Sequence, residues 1–235
     1  MIIKYICCQV KDAMQPTFSK GQTCWQRTAD SAGFIAQTGG WQANHAHIFA
    51  VWKDKASIDT FMEYDHDPIA EAADQQASYR HLTVSYWQKI IDIPSHYTAT
   101  SPASSDDKTK VTTMIARSAF IRTALCKLDP DNIDGFIDEQ RTLWNPAMSA
   151  AKGMLGGFLL RSSRQDNQFL VVSFWSSQAH HQDYVDHDFK NIKPRAHDRP
   201  QPNNLDGNKI DIVPQWQVTV PASDNAKIMR DKQEA

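Results

Sequence analysis

The sequence predicts an α+β fold: two tandem β-α-β-β-α-β units whose antiparallel sheets pack against each other within one chain. Three observations carry this. Landmarks recur in one order: Cys8 with Cys126, Phe18 with Ile137, Trp25 with Trp144, Gly39-Gly40 with Gly156-Gly157, and Trp52 with Trp175. Strand-like runs such as Ile48-Phe49-Ala50-Val51-Trp52 are apolar on both faces, as strands covered on both sides are. Residues 94–110, rich in Ser, Thr, Pro and Asp, separate the two copies as a linker would.

Residues 2–10 read as the first strand. Ile2, Ile6, Cys8 and Val10 share one face, with Ile3, Tyr5 and Cys7 on the other. Residues 13–31 follow as a helix with Met14, Phe18, Trp25 and Ala29 at helical spacing, Asp12 as its N-cap and Gly33 as its stop. Residues 34–41 and 45–52 form a hairpin. A helix over 53–63 turns Ala56, Phe61 and Met62 inward, and Asp67-Pro68 restarts it, with Asp67 as the new cap. Residues 82–91 form the fourth strand. The second copy runs as a strand over 118–128 and a helix over 131–150 with Ile133, Ile137, Trp144 and Met148 inward. A hairpin over 154–175, a helix to about residue 192, a polar loop over 193–208 and a closing strand over 209–220 complete it.

The expected division is 1–93, a linker over 94–112, 113–220 and a polar tail over 221–235. The order is the ferredoxin-like arrangement, in which two helices cover one sheet face. The other face needs a cover too, and the sheet of the second unit supplies one. The expectation is an intrachain pseudo-dimeric α/β barrel with its helices outside.

Composition removes several function classes. Net charge is −2 over 235 residues and no basic run is present, so nucleic acid and membrane surfaces are not expected partners. The N-terminal segment is too soon interrupted by charge for a signal peptide, which makes the cytoplasm the default compartment. The four cysteines form no Cys-x-x-Cys pair and read as small buried hydrophobes. Gly-rich phosphate loops, nucleophile elbows and His-Glu-x-x-His are missing from the sequence.

The strand-three end Ala50-Val51-Trp52-Lys53-Asp54-Lys55-Ala56-Ser57 and the helix carrying Phe61 resemble the dimeric α/β-barrel superfamily that includes antibiotic-biosynthesis-monooxygenase-like proteins. The run 3–10, Gly39-Gly40-Trp41 and 46–52 are similar to bacterial YdbC-like proteins. The resemblance implies oxygenation of a small aromatic or polyketide-like molecule without a metal or cofactor. The alternative is a binding or sensing protein with no chemistry. Haem-degrading members of the superfamily use an Asn, a Trp and a His, where this chain has Gln9, Phe61 and Ala73. Haem degradation is therefore the less expected activity.

His66, between Asp65 and Asp67, is the candidate catalytic residue, because a neighbouring carboxylate orients an imidazole as a general base requires. The bland alternative is a boundary residue beside a capping aspartate. Trp25, His47, Trp52, Phe61, Trp144 and Trp175 are the candidate substrate-binding residues: aromatic and imidazole walls suit a planar ligand. No metal site is expected, since further converging ligands are missing. His180-His181 read as solvated. The expected partner is a small molecule. A pseudo-dimer inside one chain makes a monomer the default and leaves further dimerisation open.

Overall fold

A computed structural model describes residues 1–95, 106–196 and 202–220. The expected tail over 221–235, most of the expected linker and part of the polar loop lie outside the described residues.

The first unit runs β1 (Ile2–Val10), α1 (Gln15–Gln22), β2 (Phe34–Gln42), β3 (His45–Trp52), α2 (Lys55–Tyr64), α3 (His66–Ala73) and β4 (Tyr79–Ile93). Next comes α4 (Asp107–Arg117). The second unit has β5 (Phe120–Lys127), α5 (Ile133–Glu139), α6 (Asn145–Ala150), β6 (Met154–Ser162), β7 (Gln168–Trp175), α7 (Gln178–Tyr184) and α8 (Lys190–Ile192). The short strands β8 (Asn204–Asp206), β9 (Lys209–Ile212) and β10 (Val218–Thr219) follow.

Eight strands close a ring in the order β2-β3-β1-β4-β6-β7-β5-β9, and β9 returns to β2. The two units are therefore not separate sheets stacked face to face. β4 pairs with β6, and β9 pairs with both β5 and β2, so the fourth strand of each unit bonds to the second strand of the other. Closure removes the open edges that two four-stranded sheets would leave. Gly40 permits the β2–β9 seam, since a Cβ there would collide with the Asp211 carbonyl.

The duplication is visible in the backbone. Ile2 faces Trp52 across β1 and β3, and Phe120 faces Trp175 across β5 and β7. β2 is bulged between Phe34 and Ala36, and β6 between Met154 and Gly156. Gly33 and Gly153 precede those strands with φ of 77° and 79°, and their carbonyls accept from Lys53 and Ser176. One landmark is corrected. Gly39 faces Ile48, four residues before Trp52, whereas the residue facing Val171, four before Trp175, is Leu159. Gly39-Gly40 and Gly156-Gly157 are thus not equivalent positions.

Side chains alternate between two cores, as the strand period requires. Ile3, Phe49, Val51, Trp87, Phe158, Leu160, Val172 and Phe174 fill the barrel interior. Trp52, Phe61, Ile58 and Ile69 fill the layer under the first unit's helices, and Phe120, Met154, Trp175 and Tyr184 the layer under the second's. Helix α4 was not foreseen from the polar composition of this stretch. Asp106 caps it by accepting from the Thr109 amide at 2.8 Å, and Val111, Met114 and Ile115 pack into the interior cluster at one end of the barrel.

Other local expectations are corrected. The helix expected over 13–31 is α1 followed by a 3₁₀ stretch, Thr23–Asp30, and no side chain caps either. Asp54 caps α2, accepting from the Ser57 amide at 2.9 Å. Asp67 lies in the first turn of α3 and is not its cap. In α2 the inward residues are Ile58 and Phe61, while Ala56 is exposed and Met62 is 37% exposed. The helix expected over 131–150 carries a π turn over Gln140–Trp144; Met148 is buried as expected, Ile133, Ile137 and Trp144 pack against the cores only partly buried, and Phe136 and Leu143 are buried in addition. The closing strand breaks at Pro214 into β9 and β10.

Candidate functional site

The end of the barrel opposite α4 holds a cavity of about 390 Å³. β1 supplies Tyr5 and Cys7, β3 supplies His45 and His47, and β4 supplies Ser85 and Trp87. Leu125, Leu170, Asp206 and Asn208 enter from the second unit. Alternation explains the set: these are the inward positions of strands whose outward positions meet helices.

The polar heart of the cavity is a Tyr5–His47 pair. Tyr5 Oη lies 2.7 Å from His47 Nδ1, and the Tyr5 ring stacks on Phe49 at 4.5 Å with an interplanar angle of 4°. Burial, aided by His45, lowers the His47 pKa to about 4. Burial, with smaller contributions from Cys7 and Asp206, raises that of Tyr5. Both groups are therefore neutral at pH 7. With the Tyr5 hydroxyl as donor to Nδ1, the imidazole proton sits on Nε2. His47 is 3% exposed, and its Nε2 has no hydrogen-bond partner among the described residues. Trp87, by contrast, already donates to Ser85 Oγ at 2.8 Å. None of the described residues lining the cavity is Lys or Arg.

The candidate residues read from the sequence fall in three places. His47 is in the barrel mouth. Trp25, Trp52, Phe61 and His66 come together under the first unit's helices. Phe61 is 4.9 Å from Trp52, and His66 is 5.4 Å from Trp25 and 5.8 Å from Phe61, between ring centroids. His66 Nδ1 meets Asp67 Oδ1 at 2.8 Å, whereas Asp65 accepts from Ser31 Oγ at 2.7 Å. Trp25 Nε1 donates to Gln75 Oε1 at 3.0 Å. Neither of the two cavities described reaches His66. Trp144 and Trp175 lie in the second unit's layer, joined through Phe189 and Tyr184. Trp144 donates to the buried Glu139 at 2.7 Å and Trp175 to Ser173 at 2.9 Å.

His181 corrects the expectation of a solvated pair. It is 4% exposed against Phe120 and Trp175, and burial lowers its pKa to about 4. His180 is held by the Ser176 and Ser177 hydroxyls. His187 turns back on Asp183 and is exposed. Among the described residues no cluster of His, Cys, Asp or Glu could hold a metal ion.

Sequence reasoning missed Tyr5, Trp87 and Lys4. Tyr5 stood on the apolar inner face of the first strand, but its neighbours come from other strands and from the second unit. Lys4 had a readable signal: it interrupts the face formed by Ile2, Ile6, Cys8 and Val10, and it is 6% exposed.

With this geometry in place, known proteins give it a family. A model described as Domain of unknown function (DUF4937) matches residues 2–87, and one described as Antibiotic biosynthesis monooxygenase matches residues 119–191. The chain is 35% identical over 94 residues to the uncharacterized protein YdbC of Bacillus subtilis, covering 38% of this chain and 79% of that protein. The chain belongs to the YdbC family. Its fold is that of the antibiotic-biosynthesis-monooxygenase-like proteins. A structure from Fusobacterium nucleatum assigned as a monooxygenase shares it with a TM-score of 0.68 and 10% identity over 90% of this chain and 91% of that one. One from Lactobacillus acidophilus, assigned likewise, gives 0.67 and 10% over 93% and 95%. An anthrone oxidase-like protein gives 0.59 and 11% over 90% and 91%. No helix among the described residues is long and apolar enough to cross a membrane.

Proposed function

We propose that this YdbC-family barrel binds a small, uncharged, planar molecule in its open mouth. One observation carries the reading: His47, almost wholly buried on the wall of a 390 Å³ cavity, has a ring nitrogen with no partner among the described residues. A buried polar atom without a partner is costly, and a ligand acceptor at Nε2 removes that cost. Tyr5, held flat by its stack on the buried Phe49, and the near-parallel His47 ring give the cavity wall the planar character that suits a flat ligand. The described lining, without Lys or Arg, offers an anion no counter-charge. An imidazole whose pKa lies near 4 is a poor base at pH 7, which favours binding over proton abstraction at this position.

Calorimetric titration with 1-naphthol tests the reading. Binding to the wild type is expected, with about a fivefold or greater loss in His47→Leu, the size of one neutral hydrogen bond. Equal affinity in the two proteins contradicts the role of His47.

A second reading is metal-free oxygenation in the first unit's outer layer. It is favoured by the antibiotic biosynthesis monooxygenase match and by the likeness to an anthrone oxidase-like protein. On it, His66, oriented by Asp67, takes a proton from an activated methylene, and Trp25, Trp52 and Phe61 hold the ring. Trp144 and Trp175 would serve the second unit in the same way. The balance is CH₂ + O₂ → C=O + H₂O, so no outside reductant is needed. Oxygen uptake with anthrone should vanish in His66→Ala, and uptake equal to the wild type removes His66 from the chemistry.

A further inference from the structure

The duplication supplies an internal control for one buried charge. Lys4 faces Ala50 across β1 and β3, and Arg122 faces Ser173 across β5 and β7. Each cation therefore occupies the same register beside its unit's tryptophan, Trp52 or Trp175. In the second unit the chain satisfies both groups. Arg122 Nη1 donates to the Asn208 carbonyl at 3.3 Å within the field of Asp206, and Trp175 Nε1 donates to Ser173 Oγ. In the first unit the tryptophan has no partner among the described residues and the cation has only a thioether. Ala50 stands where Ser173 does, and Trp52 Nε1, fully buried, has no partner among the described residues. Lys4 is 6% exposed. Its described neighbours are the Met62 sulfur at 3.1 Å and the face of Phe61 at 5.8 Å, with no carboxylate in salt-bridge range among the described residues.

We infer that the first unit's helix-side layer is a carboxylate-binding site, in which the Lys4 ammonium and the Trp52 indole N–H grip the acid group of a small aromatic acid. Lys4 lacks a counter-charge and Trp52 lacks an acceptor; a carboxylate supplies both, with a charge-assisted hydrogen bond at one oxygen and an indole N–H at the other. Phe61 and Trp25 receive the ring of the acid. Met62, on an unbranched side chain 37% exposed at the surface, is the cover that moves to admit it. Burial without a counter-ion already lowers the Lys4 pKa to about 8, the signature of an ammonium that lacks its anion. The second unit, its donors already satisfied, does not bind such a ligand. The inference is independent of the barrel-mouth reading, because Lys4 and His47 point to opposite faces of the sheet.

Calorimetric titration of the full chain with 1-naphthoate and 1-naphthol decides it. The expected result is naphthoate binding that weakens at least tenfold in Lys4→Met, weakens about fivefold in Trp52→Phe, survives in Lys4→Arg and is unchanged in His47→Leu. Lys4→Met is length-matched and removes an unpaired buried charge, so it is expected to fold, which a thermal melt checks. Naphthoate affinity equal in wild type and Lys4→Met, dependence on His47, or no binding of naphthoate to the wild type at millimolar concentration would each overturn the inference.

Discussion

His47 and His181 are both held neutral by burial, with pKa values lowered to about 4. Their sign is fixed by linkage. Between about pH 6.5 and 4 the unfolded chain binds protons at these positions and the folded chain does not, so stability falls as pH falls. Each histidine contributes a slope of at most about 1.4 kcal/mol per pH unit, and carboxylates of ordinary pKa remain ionised above pH 5. Urea unfolding at pH 6.5 and pH 5 should therefore differ by about 2–3 kcal/mol, less stable at the lower pH. His47→Leu should remove about half of that difference. A midpoint indifferent to pH over this range contradicts the buried, neutral state of both rings. The sequence identified His47 as a candidate wall residue but could not supply its partner: Tyr5 is 42 residues away and meets it only through the β1–β3 register.

The strands were the most legible elements. β3 and both hairpins stand where apolar runs bounded by turn residues put them, because a doubly covered strand carries its signal in every residue. Helices were less so. The first broke into α1 and a 3₁₀ stretch, and the second unit's helices contain π turns at Gln140–Trp144 and Val185–Phe189, which shift the inward face by a residue. Helix α4 was hidden because only Val111, Met114 and Ile115 are buried, in a segment whose other residues are polar but for Ala116. Those three plug the barrel, and Ile115 is 0% exposed. Ile115→Ala should cost about 2–4 kcal/mol, the range for deleting a fully buried branched side chain. Chemical denaturation measures it, and a cost under about 0.5 kcal/mol would mean that α4 is a surface appendage and not part of the core.

At the scale of the whole molecule, the barrel joins the two copies through β4–β6 and β9–β2 rather than through stacked sheets. A fragment of residues 1–95 expressed alone would carry two unpaired edges, on β2 and β4. Its remedy is a second copy pairing β4 with β2 in each direction, so light scattering should find a dimer. A stable monomer would contradict the view that closure is what the second unit provides. The same closure creates the mouth, since Leu125, Leu170, Asp206 and Asn208 complete a wall begun by the first unit. Duplication was legible from Trp52, Trp175 and the two cysteines Cys8 and Cys126. The mouth was not, because it is formed by both units together.

The central claim is that this mouth is a ligand site anchored on a neutral His47. Nitrogen-15 NMR of the labelled histidines, with and without 1-naphthol at pH 7, tests it most directly. The account predicts a neutral His47 ring protonated on Nε2, with that nitrogen shifting on ligand addition while His66 and His187 stay in place. A doubly protonated His47 ring, or a shift confined to His66, would contradict it.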